Sequence, residues 1–193
     1  IPTLKVRLLR IFVLVLSVAF ASVWLTVVGL LALYVRVVDG GPSFFRQERV
    51  GRDGHTFRCL KFRTMIVNAE EDGRPRLATM DDPRVVRGLN WMRSTRADEL
   101  PQLWNVLRGD MSLVGPRPER PELVADIQTR VPGYVRRSEL PPGITGLAQI
   151  EGRYDTDAEY KLGYDIQYLV NWSLVLDVHI LLRTIFVVIT RRV

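Results

Sequence analysis

The chain has 193 residues, enough for one domain with a buried core and a membrane element beside it. Hydrophobic residues make up 47% and charged residues 25%, which argues against a disordered chain and a polytopic membrane protein. The formal net charge of +6 suits nucleic acid, anionic lipid or phosphorylated substrates. With neither zinc-finger spacing nor basic runs interleaved with aromatic residues, no nucleic acid is expected as a partner.

The N-terminal region is dominated by a run without charged side chains, residues 11–35. As one helix this run would extend roughly 38 Å, which exceeds the ~30 Å hydrocarbon core of a bilayer. Length alone favours a simple spanning anchor. Basic residues lie on both sides of the run, and positive residues prefer the cytoplasmic face, so the flanks favour a re-entrant helix with both ends in the cytoplasm. Ser22 and Gly29 are the positions where such a helix could bend.

Two further features concern processing and redox state. The chain begins with Ile1 rather than Met, so we expect a trimmed piece of a longer protein. The apolar run is too long for the core of a signal peptide, and no small-residue cleavage site follows it. Cys59 is the only cysteine, so an intrachain disulfide is excluded.

A β-hairpin is predicted after the apolar helix. Residues 44–50 are typical of a strand, residues 51–54 contain the Asp-Gly pair of a hairpin turn, and residues 55–63 are typical of a return strand. Alternation along the return strand puts Lys61 and Arg63 on one face. That pair is either a phosphate clamp or part of a solvated edge.

Helical patterns dominate the rest of the chain. The predicted elements are a loop or short helices over 68–90, a helix from about Ala97 with Leu100, Leu103, Trp104 and Leu107 on one face, a helix over 122–129, and an apolar helix over 173–191. Thr95 resembles the N-cap of the predicted helix from about Ala97, and this cap would put Asp98 and Glu99 at the positive end of that helix. Charged residues interrupt the last element too often for comfortable spanning, which leaves an interfacial helix or a core helix.

Asp98 and Glu99 are the first candidates for chemistry. An adjacent acid pair at a helix start is commonly structural, since the dipole stabilises anions there by about 0.3–1 kcal/mol. The surrounding cations change the interpretation, because Arg in Pro-flanked loops presents a fixed fork that matches phosphate. Carboxylates beside such cations indicate a Mg²⁺-assisted phosphoryl site. The cations are Lys61, Arg63, Arg93, Arg96, Arg108 and Arg117.

Other chemistries have little support. His55 and His179 are the only histidines, and both are better explained as structural, so a catalytic triad or a zinc site is not expected. Cys59 is expected to be a buried, inert thiol. The chain has no Gly-x-x-x-x-Gly-Lys-Ser/Thr loop, which excludes a P-loop nucleotide enzyme.

Several ordered segments carry a resemblance that covers nearly the whole chain. They are residues 41–51, 61–65, 98–112, 114–119 and 142–147. In this order they resemble the bacterial sugar transferases, the monotopic phosphoglycosyl transferases. At the membrane end the chain departs from the family pattern: Arg10 stands at the place of an aspartate, and Ser22-Val23 stands at the place of Ser-Pro.

The resemblance implies a two-step transfer of sugar-1-phosphate from a UDP-sugar to polyprenyl phosphate. Asp98 would attack the β-phosphate, release UMP and carry a covalent aspartyl phosphosugar. Glu99 would orient Asp98 or help hold Mg²⁺, so Asp98 and Glu99 are the expected metal ligands. The implied phosphate-binding residues are Lys61, Arg63, Arg93, Arg96 and Arg117, and the implied nucleotide loop contains Pro142, Gly143, Thr145, Gly146 and Arg153.

The expected fold class is α+β. Residues 1–38 would form the re-entrant membrane helix, and residues 39–193 a cytoplasmic catalytic domain with a β-hairpin, packed helices and a C-terminal membrane-interface helix. The implied location is the bacterial inner membrane with the domain facing the cytoplasm, and the implied partners are UDP-sugar, undecaprenyl phosphate and membrane lipid. The reaction would begin exopolysaccharide, O-antigen or other glycoconjugate assembly, and a homo-oligomer is left open. The alternative is a non-catalytic membrane scaffold that binds nucleotide-sugar or anionic lipid.

Overall fold

The computed structural model describes residues 4–69, 82–152 and 157–190, with side chains from residue 19 onward. It combines helices with small sheets, as the α+β expectation requires. The elements in chain order are α1 (Leu4–Asp39), β1 (Phe44–Val50), β2 (Thr56–Phe62), α2 (Asn90–Ser94), α3 (Gln102–Arg108), β3 (Ser112–Val114), α4 (Pro121–Arg130), β4 (Gly143–Thr145), α5 (Leu147–Glu151), α6 (Ala158–Asn171) and α7 (Leu174–Thr190). Short 3-10 segments lie at Arg52–Gly54, Ala97–Glu99 and Tyr134–Glu139.

Helix α1 has 36 residues, a length of about 54 Å. Its segment Ala19–Asp39 is long and apolar enough to cross a membrane. The helix continues through Ser22 and Gly29, although the Thr26 hydroxyl donates to the Ser22 carbonyl at 2.9 Å. This type of side-chain bond often bends a helix. The re-entrant path stays a prediction.

The predicted hairpin is confirmed. Strands β1 and β2 pair antiparallel, from Phe44 opposite Phe62 to Val50 opposite Thr56. In the turn Asp53 has φ 54° and Gly54 has φ 80°, the left-handed conformation that Asp and Gly tolerate best. The Asp-Gly pair is therefore what lets the chain reverse here.

Two apolar clusters hold the domain together. The N-terminal core joins α1, β2 and α2, and the C-terminal core joins β3, α5, α6 and α7. The buried members of the N-terminal core are Val35, Phe62, Leu89 and Met92, and those of the C-terminal core are Val114, Leu147, Ile150, Tyr168 and Ile180. Because Val28, Leu31 and Ala32 also pack on the N-terminal core, the second half of α1 is part of the domain rather than a detached anchor.

A parallel pair of short strands, β3 and β4, brings the two Gly- and Pro-rich segments together. Gly115 N–H donates to the Thr145 carbonyl at 2.9 Å. A Cβ atom on Gly115, Gly143 or Gly146 would lie closer than 3.0 Å to backbone of the neighbouring segment. Glycine is needed at these positions because two backbones touch there.

The helices predicted over 122–129 and 173–191 are confirmed as α4 and α7. The sequence patterns did not predict β3, β4 and α5, which have only three to five residues each, nor the 14-residue helix α6. The predicted loop over 68–90 lies partly outside the described residues. Its final residue begins α2.

Candidate active site

The acid pair lies in a 3-10 turn. The prediction of one helix from Ala97 was wrong in its start, because Ala97–Glu99 form a separate turn and α3 begins only at Gln102. Pro101 lies between the two pieces and has no N–H for a continuous helical ladder. Thr95 does not cap this turn, since its hydroxyl donates back to the Trp91 carbonyl at 2.7 Å and closes α2.

Glu99 lies at the centre of a cluster of cations. Its Oε1 atom is 2.8 Å from Nζ of Lys61, 2.8 Å from Nη2 of Arg117 and 3.6 Å from Nη1 of Arg96. The Glu99 residue is only 6% exposed. Burial alone would raise the pKa of Glu99, but Arg117, Lys61 and Arg96 together hold that pKa well below its usual value. Glu99 is therefore a permanent carboxylate that keeps the cations together.

Asp98 differs from its neighbour in its partners. It is also buried, but no cation of the described residues lies within ion-pair distance of its carboxylate. Burial raises the pKa of Asp98, and the negative charge of Glu99 raises it further, against the fields of Lys61 and Arg93. A desolvated carboxylate that is not held by a cation is the more reactive one of the pair.

Lys61 reaches Glu99 because α3 is fastened to β2. The Asn105 side chain accepts from Leu60 N–H at 3.0 Å and donates to the Arg58 carbonyl at 2.9 Å. A single amide thus continues the strand's hydrogen bonding where the hairpin has no further strand. This contact fixes the β2 backbone immediately before Lys61.

Arg117 comes from the segment that follows β3. Its side chain crosses to Glu99, so the ion pair connects the two cores: Ala97 and Leu100 pack on the N-terminal core, and Val114 belongs to the C-terminal core. The negative charge of Glu99 raises the pKa of Arg117 above its ordinary value. The site lies at the junction of the two halves of the domain.

The other predicted phosphate-binding residues are placed differently. Arg63 lies just beyond β2, is buried, pairs with Asp39 at the end of α1 and donates to the Pro42 carbonyl at 2.6 Å. Those contacts connect α1 to the rest of the domain. Phosphate binding by Arg63 stays a prediction. Arg93 contributes to the field at Asp98.

The predicted nucleotide loop is packed against the segment that carries Arg117. Pro142 carbonyl accepts from Ser112 N–H at 2.7 Å, and the Thr145 and Thr184 hydroxyls are 2.7 Å apart. Contact with a nucleotide by Pro142, Gly143, Thr145 and Gly146 stays a prediction. Arg153 lies outside the described residues.

Sequence reasoning missed three buried polar residues that shape the site: Asn105, Arg137 and Asp165. Arg137 bonds Asp165 at 2.9 Å and the Arg117 carbonyl at 3.0 Å. Polar residues of these types are usually exposed, and no local sequence pattern marks these three as buried. The expectation of a buried thiol at Cys59 is confirmed, and burial raises its pKa.

Two adjacent carboxylates, Asp98 and Glu99, suit Mg²⁺ better than a metal ion whose ligands all come from the protein. Among the described residues no three His, Cys, Asp or Glu side chains cluster as metal ligands. Mg²⁺ usually takes one or two carboxylates and completes its shell with water and substrate phosphates. Asp98, a carboxylate without a bound cation among the described residues, and Glu99 beside it fit that role.

Comparisons with known proteins agree on one family. The model of the family "Bacterial sugar transferase" matches residues 4–191. The UDP-galactose-lipid carrier transferase of Erwinia amylovora is 43% identical, covering 79% of this chain and 34% of the relative. The UDP-glucose:undecaprenyl-phosphate glucose-1-phosphate transferase of Klebsiella pneumoniae is 43% identical, with coverage of 81% and 34%.

A shorter relative is matched over most of its own length. The exopolysaccharide production protein ExoY of Sinorhizobium fredii is 38% identical, covering 87% of this chain and 77% of the relative. The chain spans about a third of the length of the first two relatives. With the family model matching nearly from end to end, the chain belongs to the bacterial sugar transferase family.

Proposed function

We propose that the protein transfers sugar-1-phosphate from a UDP-sugar to undecaprenyl phosphate, with Asp98 as the covalent nucleophile. The observation that carries this proposal is that two adjacent buried carboxylates differ in their ion-pair partners. Glu99 is bound by Lys61 and Arg117, whereas Asp98 is left without a cation among the described residues. A structural acid pair would gain from pairing both charges, since an unpaired buried charge is costly.

In the first displacement an Asp98 carboxylate oxygen forms a bond to the β-phosphorus of the UDP-sugar. The bond from that phosphorus to the oxygen bridging the α-phosphate breaks, and the electron pair leaves with UMP. Lys61 and Arg117 supply positive charge beside the developing negative charge, while Glu99 holds both cations in place. Mg²⁺, when bound by Asp98 and Glu99, would supply further neutralisation of the phosphate oxygens.

In the second displacement a phosphate oxygen of undecaprenyl phosphate attacks the same phosphorus. The aspartyl bond breaks, Asp98 regains its carboxylate, and a polyprenyl diphosphosugar is released. Splitting one transfer into two displacements is ordinary covalent catalysis. The relatives' names support both substrate classes: they include a UDP-N-acetylgalactosamine-undecaprenyl-phosphate N-acetylgalactosaminephosphotransferase from Aeromonas hydrophila.

Membrane contact is supported by the reversed polarity of α7. Two of its polar side chains bond within the domain: Asp177 accepts from the Tyr168 hydroxyl at 2.7 Å, and Thr184 bonds Thr145. Ile180 is buried in the C-terminal core, but most of the other apolar side chains are exposed, which is the opposite of a helix on a water-facing surface. The exposed apolar residues include Leu174, Val175, Val178, Leu182, Ile185, Phe186 and Ile189 on α7, with Phe20, Val23, Leu25, Leu30 and Leu33 on α1.

We therefore place α7 in the membrane interface and α1 in the lipid as a re-entrant helix. From Trp24 onward α1 bonds and packs on the domain, with Trp24 Nε1 donating to the Leu100 carbonyl at 3.2 Å. The second half of α1 packs along the domain, and we propose that the domain lies on the bilayer surface. This packing favours a re-entrant helix, which leaves the membrane on the side where it entered, over a helix that crosses the bilayer. The substrate UDP-sugar then sets the orientation, with the domain on the cytoplasmic face of the inner membrane.

The proposal is tested with the full chain in lipid nanodiscs, supplied with undecaprenyl phosphate, Mg²⁺ and a panel of UDP-sugars. Release of UMP with formation of the polyprenyl diphosphosugar is the expected result. The relatives' names include glucose, galactose and N-acetylgalactosamine, so the panel begins with these sugars. Binding of UDP-sugar without UMP release across the panel would instead favour a non-catalytic scaffold.

A further inference from the structure

Two arginines outside the cation cluster point at the backbone of the loop that carries Arg117. Nη2 of Arg137 donates to the Arg117 carbonyl at 3.0 Å. Nη1 of Arg49, on β1, donates to the next carbonyl, that of Pro118, at 2.9 Å. Both guanidinium groups are largely buried, with side-chain exposures of 6% for Arg137 and 16% for Arg49.

The carbonyls on either side of these two are bound as well. Gly143 N–H donates to the Pro116 carbonyl at 2.9 Å, and Val50 N–H donates to the Glu119 carbonyl at 2.8 Å. Four consecutive carbonyls of the 116–119 loop are therefore fastened to other parts of the chain. Two residues of this loop are prolines without an N–H, so carbonyl bonding is the main way to hold it.

Arg137 is itself held rigidly. Its Nε donates to Asp165 at 2.9 Å, its Nη1 donates to the Tyr134 hydroxyl at 2.5 Å, and its guanidinium carbon lies 4.9 Å from the centre of the Tyr134 ring. Burial lowers the pKa of Arg137, but Asp165, Tyr134 and Glu119 together raise that pKa above its ordinary value. The charged guanidinium group therefore has three partners, and its Nη2 atom lies 2.8 Å from Asp165 as well as donating to the Arg117 carbonyl.

Stability alone does not explain this arrangement. Replacing a buried ion pair by apolar side chains of similar volume is often neutral or stabilising. What an apolar pair could not supply is a directed donor to the Arg117 carbonyl. The planar guanidinium supplies that donor while its other nitrogens stay bonded to Asp165 and Tyr134.

We infer that Arg137 and Arg49 are positioning residues, which hold the 116–119 loop so that the Arg117 guanidinium stays on Glu99. Neither residue needs to touch the substrate. Arg117 reaches Glu99 across the junction of the two cores, so a small movement of its backbone would separate the pair. A displacement of about 1 Å at such a site can cost about 100-fold in rate.

The test compares Arg137→Lys and Arg49→Lys with Arg136→Lys, each in the full chain in nanodiscs. Arg136 is the matched control, because it is exposed and its Nε donates to Glu139 of the same 3-10 segment at 3.1 Å, on the surface of the domain. One measurement is the rate of UMP release, which rests on the proposed function. The other is hydrogen exchange by mass spectrometry on the peptide 114–120, which does not depend on activity.

We expect UMP release to fall about 10- to 100-fold in Arg137→Lys and in Arg49→Lys, and to stay unchanged in Arg136→Lys. Exchange should become faster in the peptide 114–120 and keep its wild-type rate in peptides from α4 and α7. In an Arg117→Ala background the same substitutions should add little further loss, because residues that act as a unit are not additive.

Unchanged rates and unchanged local exchange in both variants would overturn the inference. Faster exchange throughout the domain would also overturn it, since that result indicates a general loss of stability. If Arg137→Lys fails to fold, the inference is judged on UMP release and hydrogen exchange in Arg49→Lys, because Arg49 is less buried. A wild-type chain that releases no UMP would count against the proposed function, and the exchange measurement would still decide whether the two arginines hold the loop.

Discussion

Glu99 and Arg117 are joined through Oε1 and Nη2 at 2.8 Å, and their chain segments pack on different cores of the domain, through Leu100 and Val114 respectively. The buried carboxylate therefore has two tasks, to collect cations and to connect the two halves. The adjacent Asp98 takes no part in this ion pair. Function and folding are coupled at this pair, so substitutions here should affect both.

Asp98→Asn should reduce UMP release to background and abolish the protein-bound phosphosugar. The amide keeps the shape of the side chain and removes the nucleophilic oxygen. Intact-protein mass spectrometry after mixing with UDP-sugar checks for the added mass. Asp126→Asn on the exposed face of α4 is the control and should behave like wild type. A phosphosugar found on another residue would refute the assignment to Asp98.

Chelation of Mg²⁺ by EDTA should stop turnover, and added Mg²⁺ should restore it. A carboxylate that approaches a diphosphate meets repulsion, which for unit charges about 4 Å apart is about 4 kcal/mol at an effective dielectric near 20. The assay is UMP release at fixed ionic strength, with Ca²⁺ as a comparison ion. Full activity in chelator would show that Lys61 and the arginines are sufficient.

The rate should fall on the acid side at a higher pH than an ordinary aspartate would give. Burial and Glu99 raise the pKa of Asp98, so its carboxylate is lost by protonation earlier as the pH falls. Because the pKa of Glu99 is lowered, this carboxylate stays ionised through the same pH range and keeps its ion pairs with the surrounding cations. The measurement is kcat/KM against pH, with melting temperature followed in parallel. An acid limb at the ordinary aspartate value would contradict the assignment.

Gly115→Ala should abolish activity and lower the yield of folded protein, whereas Gly163→Ala should preserve both. A Cβ on Gly115 would lie closer than 3.0 Å to the Pro141 carbonyl oxygen, and a Cβ on Gly163 meets nothing within 4 Å. Gly163 lies inside α6, where alanine should add about 0.5–1 kcal/mol of stability. Thermal unfolding and UMP release check the pair. A fully active Gly115→Ala would mean that the β3–β4 contact can open.

The two ends of α1 should lie on the same, cytoplasmic side of the membrane. Single cysteines at Thr3 and Asp126 in a Cys59→Ala background can be labelled by an impermeant thiol reagent in intact and in opened cells. Alanine suits position 59 because Cys59 is buried and would tolerate a polar replacement poorly. Both cysteines should react only after the cells are opened. Labelling of Thr3→Cys alone in intact cells would show a straight crossing.

The sequence predicted those elements whose causes are local. The hairpin followed from Asp53-Gly54, and α4 and α7 followed from spacing and proline placement. The start of α3 was predicted too early, because apolar spacing continues across Pro101 although the backbone ladder does not.

Contacts distant in sequence were the part that spacing could not supply. Lys61 was correctly grouped with the acid pair, but alternation on one strand face also suggested Arg63, which turns to Asp39 instead. The backbone pairing continues to Arg63, whose N–H donates to the Ser43 carbonyl at 2.9 Å, so strand alternation alone could not tell which partner its side chain contacts. The Arg137–Asp165 pair joins residues 28 apart, and no local pattern marks it.

The hydrogen bond from Trp24 to Leu100 has a practical consequence for handling the protein. Leu100 is two residues beyond Asp98, and Thr184 of α7 contacts Thr145, which pairs with the segment before Arg117. Detergent that distorts either helix therefore also acts on the segments that carry the acid pair and Arg117. Removing α1 to gain solubility would remove a support of the Ala97–Glu99 turn. Purification should accordingly preserve the contacts of α1 and α7 with the rest of the domain.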